Sequence, residues 1–193
     1  MEELQVKGPT VMKGYWKRPD ATAEVFTEDG WFKTGDQADL SDAGRIRIKG
    51  RIKEIIVTST GEKIPPTDME LAIQTDPLFE QVMVVGEARP FITALAVVNE
   101  AEWEKFAKEF NVDPTDERML MRRDIRMAAL KRLKKAASRF PQYGIPRNIR
   151  LLKEHWTVDN GCLTVTMKLR RPIIREKLRA EIDELYTVPQ NNV

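Results

Sequence analysis

The stretch from Gly30 to Lys63 most constrains the fold, because it places several turn signals and apolar strands within a short span. The TGD segment at 34–36 supplies a glycine for a sharp bend and leaves the following aspartate at a rim. A strand at 37–40 and a turn at 41–44 then lead into RIRIK at 45–49, whose strict polar and apolar alternation is typical of a half-buried strand. These segments predict a β-hairpin.

The rest of the chain predicts a mixed arrangement of short strands and helices. A second apolar strand, IKEIIVT at 52–58, follows the hairpin, and Gly61 lies in the turn after it. A helix with Thr67 as its cap and Glu70 at the capping-box position follows. Further along, we expect strands at 81–85, 91–98 and 147–153 and helices at 101–110, 113–140 and 171–186. The fold class is therefore α+β, with a short mixed or antiparallel sheet covered by helices.

Two motifs resemble those of a known family. The order and spacing of TGD at 34–36, IKGRIKE at 48–54, an apolar strand and a glycine turn resemble the C-terminal signature of the adenylate-forming enzymes. That family includes acyl-CoA synthetases, luciferases and the adenylation domains of peptide synthetases. A second block, NGCLTVTMKLRR at 160–171, resembles the terminal lysine motif of long-chain acyl-CoA synthetases. The resemblance covers nearly the whole chain, yet only the last part of the family's full length.

The resemblance implies a division of the chain into three parts. Residues 1–51 correspond to the end of the larger N-terminal adenylation domain, a β-rich fragment that contains the hairpin. Residues 52–188 correspond to the small C-terminal lid domain, and residues 189–193 to a loose tail. We therefore expect the chain to be a fragment whose main partner is the N-terminal adenylation domain of the same protein.

The resemblance also implies roles for five residues. Asp36 and Arg51 correspond to the positions that bind the ribose of the nucleotide, and a carboxylate has two acceptor oxygens for two hydroxyls. Lys168 corresponds to the catalytic lysine of adenylation, Lys53 to the hinge of the lid, and Gly61 to the turn that lines the pantetheine path. The residues by themselves also allow plainer roles: a turn-capping aspartate, a strand-end arginine, two solvated lysines and a turn glycine.

The implied enzyme activates a carboxylate, in the first place a long-chain fatty acid, with ATP and transfers it through acyl-AMP to CoA. Mg²⁺ is expected in the full-length enzyme with ligands outside this chain. An aryl-CoA ligase, a peptide-synthetase adenylation domain and a standalone regulatory or binding module remain alternatives. No Ser/Thr/Gly-rich phosphate loop occurs here, since TSTGEK at 58–63 has too few glycines and lies in a hairpin turn, so we expect this chain alone to be inactive.

Two positions of the lysine motif depart from the family pattern. Val165 stands where long-chain relatives usually carry proline, and Met167 stands where shorter-chain relatives carry glycine before the lysine. Both residues affect the stiffness of the loop around Lys168, and neither removes the lysine itself.

Composition excludes several classes of site and partner. The charged fraction is 32% and the formal net charge is +2, so the overall charge indicates no nucleic-acid partner. One cysteine, Cys162, excludes an internal disulfide, and one histidine, His155, excludes a metal cluster of several histidines. We also expect no Ser/His/Asp triad around His155. No run approaches the roughly 20 apolar residues that a membrane span needs. We therefore expect a cytoplasmic protein.

The helix predicted at 113–140 has two interpretations. Its many basic residues suit a peripheral contact with a membrane surface. Its apolar stripe instead favours packing on the sheet, with the basic residues in solvent. The stripe consists of Met121, Ile125, Ala129, Leu133, Ala136 and Phe140. We favour the packed helix and leave a membrane contact open.

Overall fold

The computed structural model describes residues 2–41 and 44–187 and divides into two compact units, Met1–Ile55 and Ile56–Val193. Two of the residues in the predicted turn at 41–44 and the tail predicted to be loose lie outside the described residues.

The first unit contains a three-stranded antiparallel sheet in the order β1-β2-β3. The strands are β1 (Glu2–Val6), β2 (Phe32–Asp39) and β3 (Arg47–Arg51), and helix α1 (Pro19–Val25) lies between the first two in sequence. The predicted hairpin is confirmed as β2 and β3, and β1 adds a strand to it. Ile46 and Ile48 are 60% and 48% exposed, so the alternation at 45–49 does not produce the buried face that it predicts.

The apolar run at 52–58 does not form the single strand that was predicted. Ile52–Glu54 forms a 3-10 turn, in which the N–H of Ile55 donates to the carbonyl of Ile52 at 3.4 Å. Within the run, strand β4 consists of Ile56–Val57 alone, and it pairs with β5 (Lys63–Ile64). The run crosses the boundary between the two units, so one continuous strand would have to belong to both of them.

The second unit is built on a mixed sheet, which is one of the two arrangements that the prediction left open. Strands β6 (Phe79–Val85) and β7 (Thr93–Val98) pair antiparallel, and β8 (Asn148–Leu152) pairs parallel with β7. Every residue of β7 is buried, because this central strand is covered on both faces. The α+β class is therefore confirmed.

Successive residues of the sheet point into two separate hydrophobic cores. The core that includes Val82, Val84, Ala94 and Ala96 is covered by α2 (Pro66–Ile73), α3 (Glu100–Glu109) and α4 (Arg123–Ala136). The core that includes Met83, Val85, Leu95 and Val97 is covered by α5 (Arg171–Lys177) and α6 (Arg179–Thr187). The helices therefore lie on both faces of the sheet.

The long helix predicted at 113–140 is interrupted. Residues Glu117–Met121 form a 3-10 helix, and α4 begins only after Arg122, whose ψ of 134° is not helical. The cause is local, because Asp113 and Asp116 accept hydrogen bonds from the backbone N–H groups of Thr115 and Arg118. The packed interpretation of the helix is confirmed, since Ile125, Ala129 and Leu133 are buried, although Met121 is 38% exposed.

Two details of the helices differ from prediction. Helix α2 has Pro65 at its N-cap and no capping side chain, so neither Thr67 nor Glu70 acts as predicted. The terminal helix divides at Leu178 into α5 and α6.

Among the residues that the structure describes, no helix is both long and apolar enough to span a membrane.

Candidate functional site

The structure brings Asp36 and Arg51 together in the first unit. They are opposite each other on β2 and β3, and Arg51 Nε lies 3.2 Å from Asp36 Oδ1. Arg51 Nη1 also donates to the carbonyl of Thr34 at 2.8 Å. The side chains remain 31% and 54% exposed, so an external ligand can reach both. The pair offers carboxylate acceptors beside guanidinium donors, which suits a polar ligand with neighbouring hydroxyls.

The TGD sequence has the local chemistry that places Asp36 there. Thr34 Oγ1 donates to the carbonyl of Leu4 at 2.7 Å and accepts from the N–H of Asp36 at 3.1 Å. Gly35 has φ +73°, and a Cβ at this position would lie 3.3 Å from Arg51 Nη1. Glycine is therefore favoured both by the left-handed backbone and by the close approach of the arginine.

Lys168 lies near the tip of an exposed loop in the second unit. Leu163 and Leu169 form an antiparallel bridge across the loop, and the N–H of Thr164 donates to the carbonyl of Lys168 at 2.9 Å. The N–H of Lys168 donates to Thr164 Oγ1 at 3.1 Å. Within residues 2–41 and 44–187, no acceptor is paired with the Lys168 ammonium. The backbone is thus ordered while the charge stays available for an anionic ligand.

Asn160 organises the base of this loop. Its Oδ1 accepts from the N–H groups of Thr157 and Cys162 at 2.9 and 3.2 Å, and its Nδ2 donates to the carbonyl of His155 at 2.8 Å. Cys162 and Leu163 are buried in the core beneath α5 and α6. The loop therefore has an apolar anchor at one end and an exposed lysine near the other.

Gly61 and Lys53 lie on further exposed segments. Gly61, in the turn between β4 and β5, has φ +84°, and a Cβ there would meet no atom within 4 Å. Glycine is thus favoured by backbone conformation, and the space beside it is open. Lys53 is exposed in the 3-10 turn Ile52–Glu54, close to the end of the first unit at Ile55.

The predicted site residues are divided between the two units. Asp36, Arg51 and Lys53 belong to the first unit, and Gly61 and Lys168 belong to different loops of the second. Within the described residues, no group of three or more His, Cys, Asp and Glu side chains could hold a metal ion.

Sequence reasoning missed a buried ion pair next to the Lys168 loop. Glu70 Oε1 and Oε2 accept from Arg171 Nη1 and Nη2 at 2.7 and 2.6 Å, and Glu70 Oε1 also accepts from the N–H of Val84 at 2.8 Å. The two side chains are only 7% and 16% exposed. The available signal was a glutamate on the apolar side of α2, next to Met69 and Ile73, where a charge needs a partner.

Comparisons with known proteins agree on one family. The family model described as the AMP-binding enzyme C-terminal domain matches residues 53–189. A long-chain-fatty-acid–CoA ligase of Mycobacterium tuberculosis is 37% identical over 192 residues, which cover 95% of this chain and 31% of that protein. A chloroplastic long-chain-fatty-acid–[acyl-carrier-protein] ligase of Arabidopsis thaliana is 33% identical, over 95% of this chain and 25% of that protein. The chain thus spans about a third or less of these relatives.

Solved structures show the same similarity. The adenylation domain of a carboxylate reductase from Mycobacterium chelonae superposes with a TM-score of 0.82 at 28% identity, covering 96% of this chain and 28% of that one. The A domain of a carboxylic acid reductase from Segniliparus rugosus, in complex with AMP and a co-purified carboxylic acid, gives 0.79 at 28% identity, covering 95% and 28%.

Met167 provides a test of the backbone of the Lys168 loop. Its φ is +60°, so Met167→Gly should raise the free energy of unfolding by about 0.5–1 kcal/mol, because relief of left-handed strain exceeds the entropy cost of glycine. Val165→Gly, in the same exposed loop, should lower it by about 0.5–1 kcal/mol. Urea unfolding followed by circular dichroism measures both, and equal destabilisation by the two glycines would contradict the strained backbone.

Proposed function

Because the chain belongs to the AMP-binding enzyme C-terminal domain family, we propose that it is the C-terminal part of an AMP-forming long-chain acyl-CoA synthetase. The complete enzyme would join a fatty acid to the AMP part of ATP, release pyrophosphate and transfer the acyl group to CoA. The names of two relatives support this, since ligases of Mycobacterium tuberculosis and Cavia porcellus, 37% and 35% identical, are called long-chain-fatty-acid–CoA ligases. The observation that carries the proposal is the exposed ammonium of Lys168 on a hydrogen-bonded loop, for which the described part of the chain provides no acceptor.

Lys168 has the chemistry that adenylation needs. A carboxylate attacking the α-phosphate of ATP brings two anionic groups together, and their repulsion raises the barrier. An ammonium on a flexible side chain reduces that repulsion as charge shifts to the phosphate oxygens in the transition state. The loop backbone around Lys168 is hydrogen-bonded, so the loop fixes the position of the Lys168 Cα. The flexible side chain can still move its ammonium towards the reacting groups.

Asp36 and Arg51 are proposed to bind the ribose of the nucleotide. Their ion pair keeps the Asp36 carboxylate oriented before the ligand arrives, and the guanidinium adds donors beside it. A diol is then bound by acceptors and donors that are already in place, which reduces the ordering cost of binding.

Gly61 is proposed to line the path of the pantetheine arm in the thioester-forming state. The open space beside its Cα suits that role, since any side chain there would project into it. The relative from Arabidopsis thaliana is named for an acyl-carrier-protein acceptor, so the thiol acceptor of this enzyme is a second point to test. We propose CoA, because the relatives with the higher identity are named for it.

Magnesium belongs to the proposal only for the longer protein. The described residues contain no cluster of metal-ligating side chains, so they do not fit a Mg²⁺ site, and we assign no step to the ion. An aryl-CoA ligase, a peptide-synthetase adenylation domain and a standalone binding module remain the alternatives. The two enzyme alternatives differ from the proposed function in the carboxylate that they activate. A standalone binding module would activate no carboxylate.

The function is tested by ATP–pyrophosphate exchange with palmitate on a longer protein that includes the upstream adenylation domain. We expect exchange in the longer protein and none in this chain alone. Lys168→Ala should lower the exchange rate about 10²–10³-fold while thioester formation from supplied acyl-adenylate is retained, because the lysine acts in the first half-reaction. Lys108→Ala, an exposed lysine of α3, is the matched control and should retain both.

Two outcomes would contradict this assignment. Equal loss of both half-reactions in Lys168→Ala would refute the role of the lysine. No exchange with palmitate in the longer protein, but exchange with an aryl acid or an amino acid, would move the enzyme to another branch of the family.

We propose that Lys53 is the hinge, with residues 1–51 ending the adenylation domain and 52–188 forming the lid. The position of Lys53, in an exposed turn close to the boundary of the first unit, supports this. Lys53→Pro should abolish thioester formation and retain pyrophosphate exchange, because a fixed φ blocks one of two backbone states. Lys53→Ala keeps the backbone free and should retain both activities. Normal overall turnover in Lys53→Pro would reject the hinge.

We propose that the complete enzyme is cytoplasmic. We also propose that the exposed side of α4 makes a peripheral contact with a membrane surface. Arg123, Lys131 and Lys134 line that side, and Met127 lies exposed among them. The affinity for anionic vesicles, measured by co-sedimentation, should fall at high salt. It should also fall at least about 30-fold in the double variant Lys131→Glu, Lys134→Glu, because about 1 kcal/mol is lost for each of the two basic residues. Equal binding to neutral vesicles, or none at low salt, would exclude the contact.

A further inference from the structure

The ion pair between Glu70 and Arg171 connects the Lys168 loop to the sheet. Arg171 is the first residue of α5 and follows Lys168 by three positions. Its guanidinium binds both oxygens of Glu70 in α2, and one of these oxygens also accepts from the N–H of Val84 in β6. The C-terminal end of the loop is therefore connected through Arg171 to a carboxylate of α2, and this carboxylate is also hydrogen-bonded to β6.

The other arm of the loop is anchored separately. Cys162 is buried in the core, and its carbonyl accepts from the N–H of Arg170 at 2.8 Å. The bridge between Leu163 and Leu169 keeps the two arms together. Between the bridged residues Leu163 and Leu169, the four residues 165–168 are all exposed. The position of Lys168 therefore depends on how rigidly the two ends of the loop are fixed.

Stability alone does not account for a charged pair in this place. A buried ion pair is often no more stabilising than apolar residues of similar volume, since both charges lose their hydration. A bidentate guanidinium and carboxylate, however, have one favoured mutual orientation. The pair thus defines a geometry that apolar packing between α2 and α5 would leave less specific.

We propose that Glu70 and Arg171 are positioning residues that hold the Lys168 loop in its working place. Neither residue needs to touch the substrates, and both act through the location of Lys168. The anchoring of the loop is independent of the function proposed above, whereas its effect on adenylation rests on that function.

The anchoring is tested on this chain by amide hydrogen exchange. Glu70→Gln keeps the size of the side chain and removes its charge, so exchange in the peptide 164–169 should rise at least about tenfold, while exchange in β7 stays slow. Arg171→Lys keeps the charge, loses the bidentate geometry and should give a smaller rise.

Asp76→Asn is the matched control. Asp76 accepts from Arg132 Nε and Nη2 at 2.9 and 2.6 Å, so it forms an ion pair of the same kind in the same unit. That pair links the turn after α2 to α4, and neither partner belongs to the Lys168 loop. Its loss should lower the melting temperature without raising exchange in 164–169.

The consequence for adenylation is measured in the longer protein. Glu70→Gln should lower kcat for adenylation about 10–100-fold, because a small misplacement of a catalytic group is costly. KM for ATP and thioester formation from supplied acyl-adenylate should be unchanged, since Asp36 and Arg51 are untouched. Asp76→Asn should retain kcat.

Each outcome decides a different point. Unchanged exchange in 164–169 for both Glu70→Gln and Arg171→Lys would overturn the anchoring. An equal kcat loss in Asp76→Asn would assign the effect to lowered stability and overturn the positioning role. Raised loop exchange together with an inactive wild-type longer protein would support the anchor and overturn the proposed function.

Discussion

The burial of β7 on both faces is the constraint on which the second unit depends. A central strand with no solvent-exposed residue needs helices on each side of the sheet, and the alternation of its side chains creates two separate cores. One core places α2, α3 and α4, and the other places α5 and α6. Because α5 follows the lysine loop directly, the second core also determines where that loop leaves the body of the unit.

The candidate site residues are carried by short, hydrogen-bonded segments at the edges of these scaffolds. Lys168 and Gly61 lie on ordered loops with exposed surroundings, and Asp36 faces Arg51 across two strands. Rigid support with an exposed polar group suits reaction steps in which charged ligands arrive and leave. The ion pair of Glu70 and Arg171 adds a fixed connection between the sheet and the lysine loop.

Local patterns predicted the elements that depend on local chemistry. The alternation near residue 48 and the apolar runs around 82 and 95 predicted the hairpin and the two paired strands, and opposition across the hairpin brings Asp36 to Arg51. The predictions were wrong where a side chain competes with the helix for backbone hydrogen bonds and where the chain passes from the first unit to the second. Asp116 interrupts the long helix by binding a nearby backbone N–H, and the apolar run at 52–58 is divided at the unit boundary. The roles of the site residues stay predictions, because they depend on ligands.

The sequence by itself determined the α+β class, the apolar stripe of α4, the family and the exposed motifs, because periodicity, turn glycines and motif spacing are local properties. Only the tertiary structure decided that β8 pairs parallel with β7 and that Glu70 binds Arg171, 101 positions further along the chain. The sequence alone does not identify the ion-pair partner of a glutamate, because a carboxylate needs a partner only when folding buries it away from water. The charge must then be neutralised by whichever cation the packing of distant elements brings within reach.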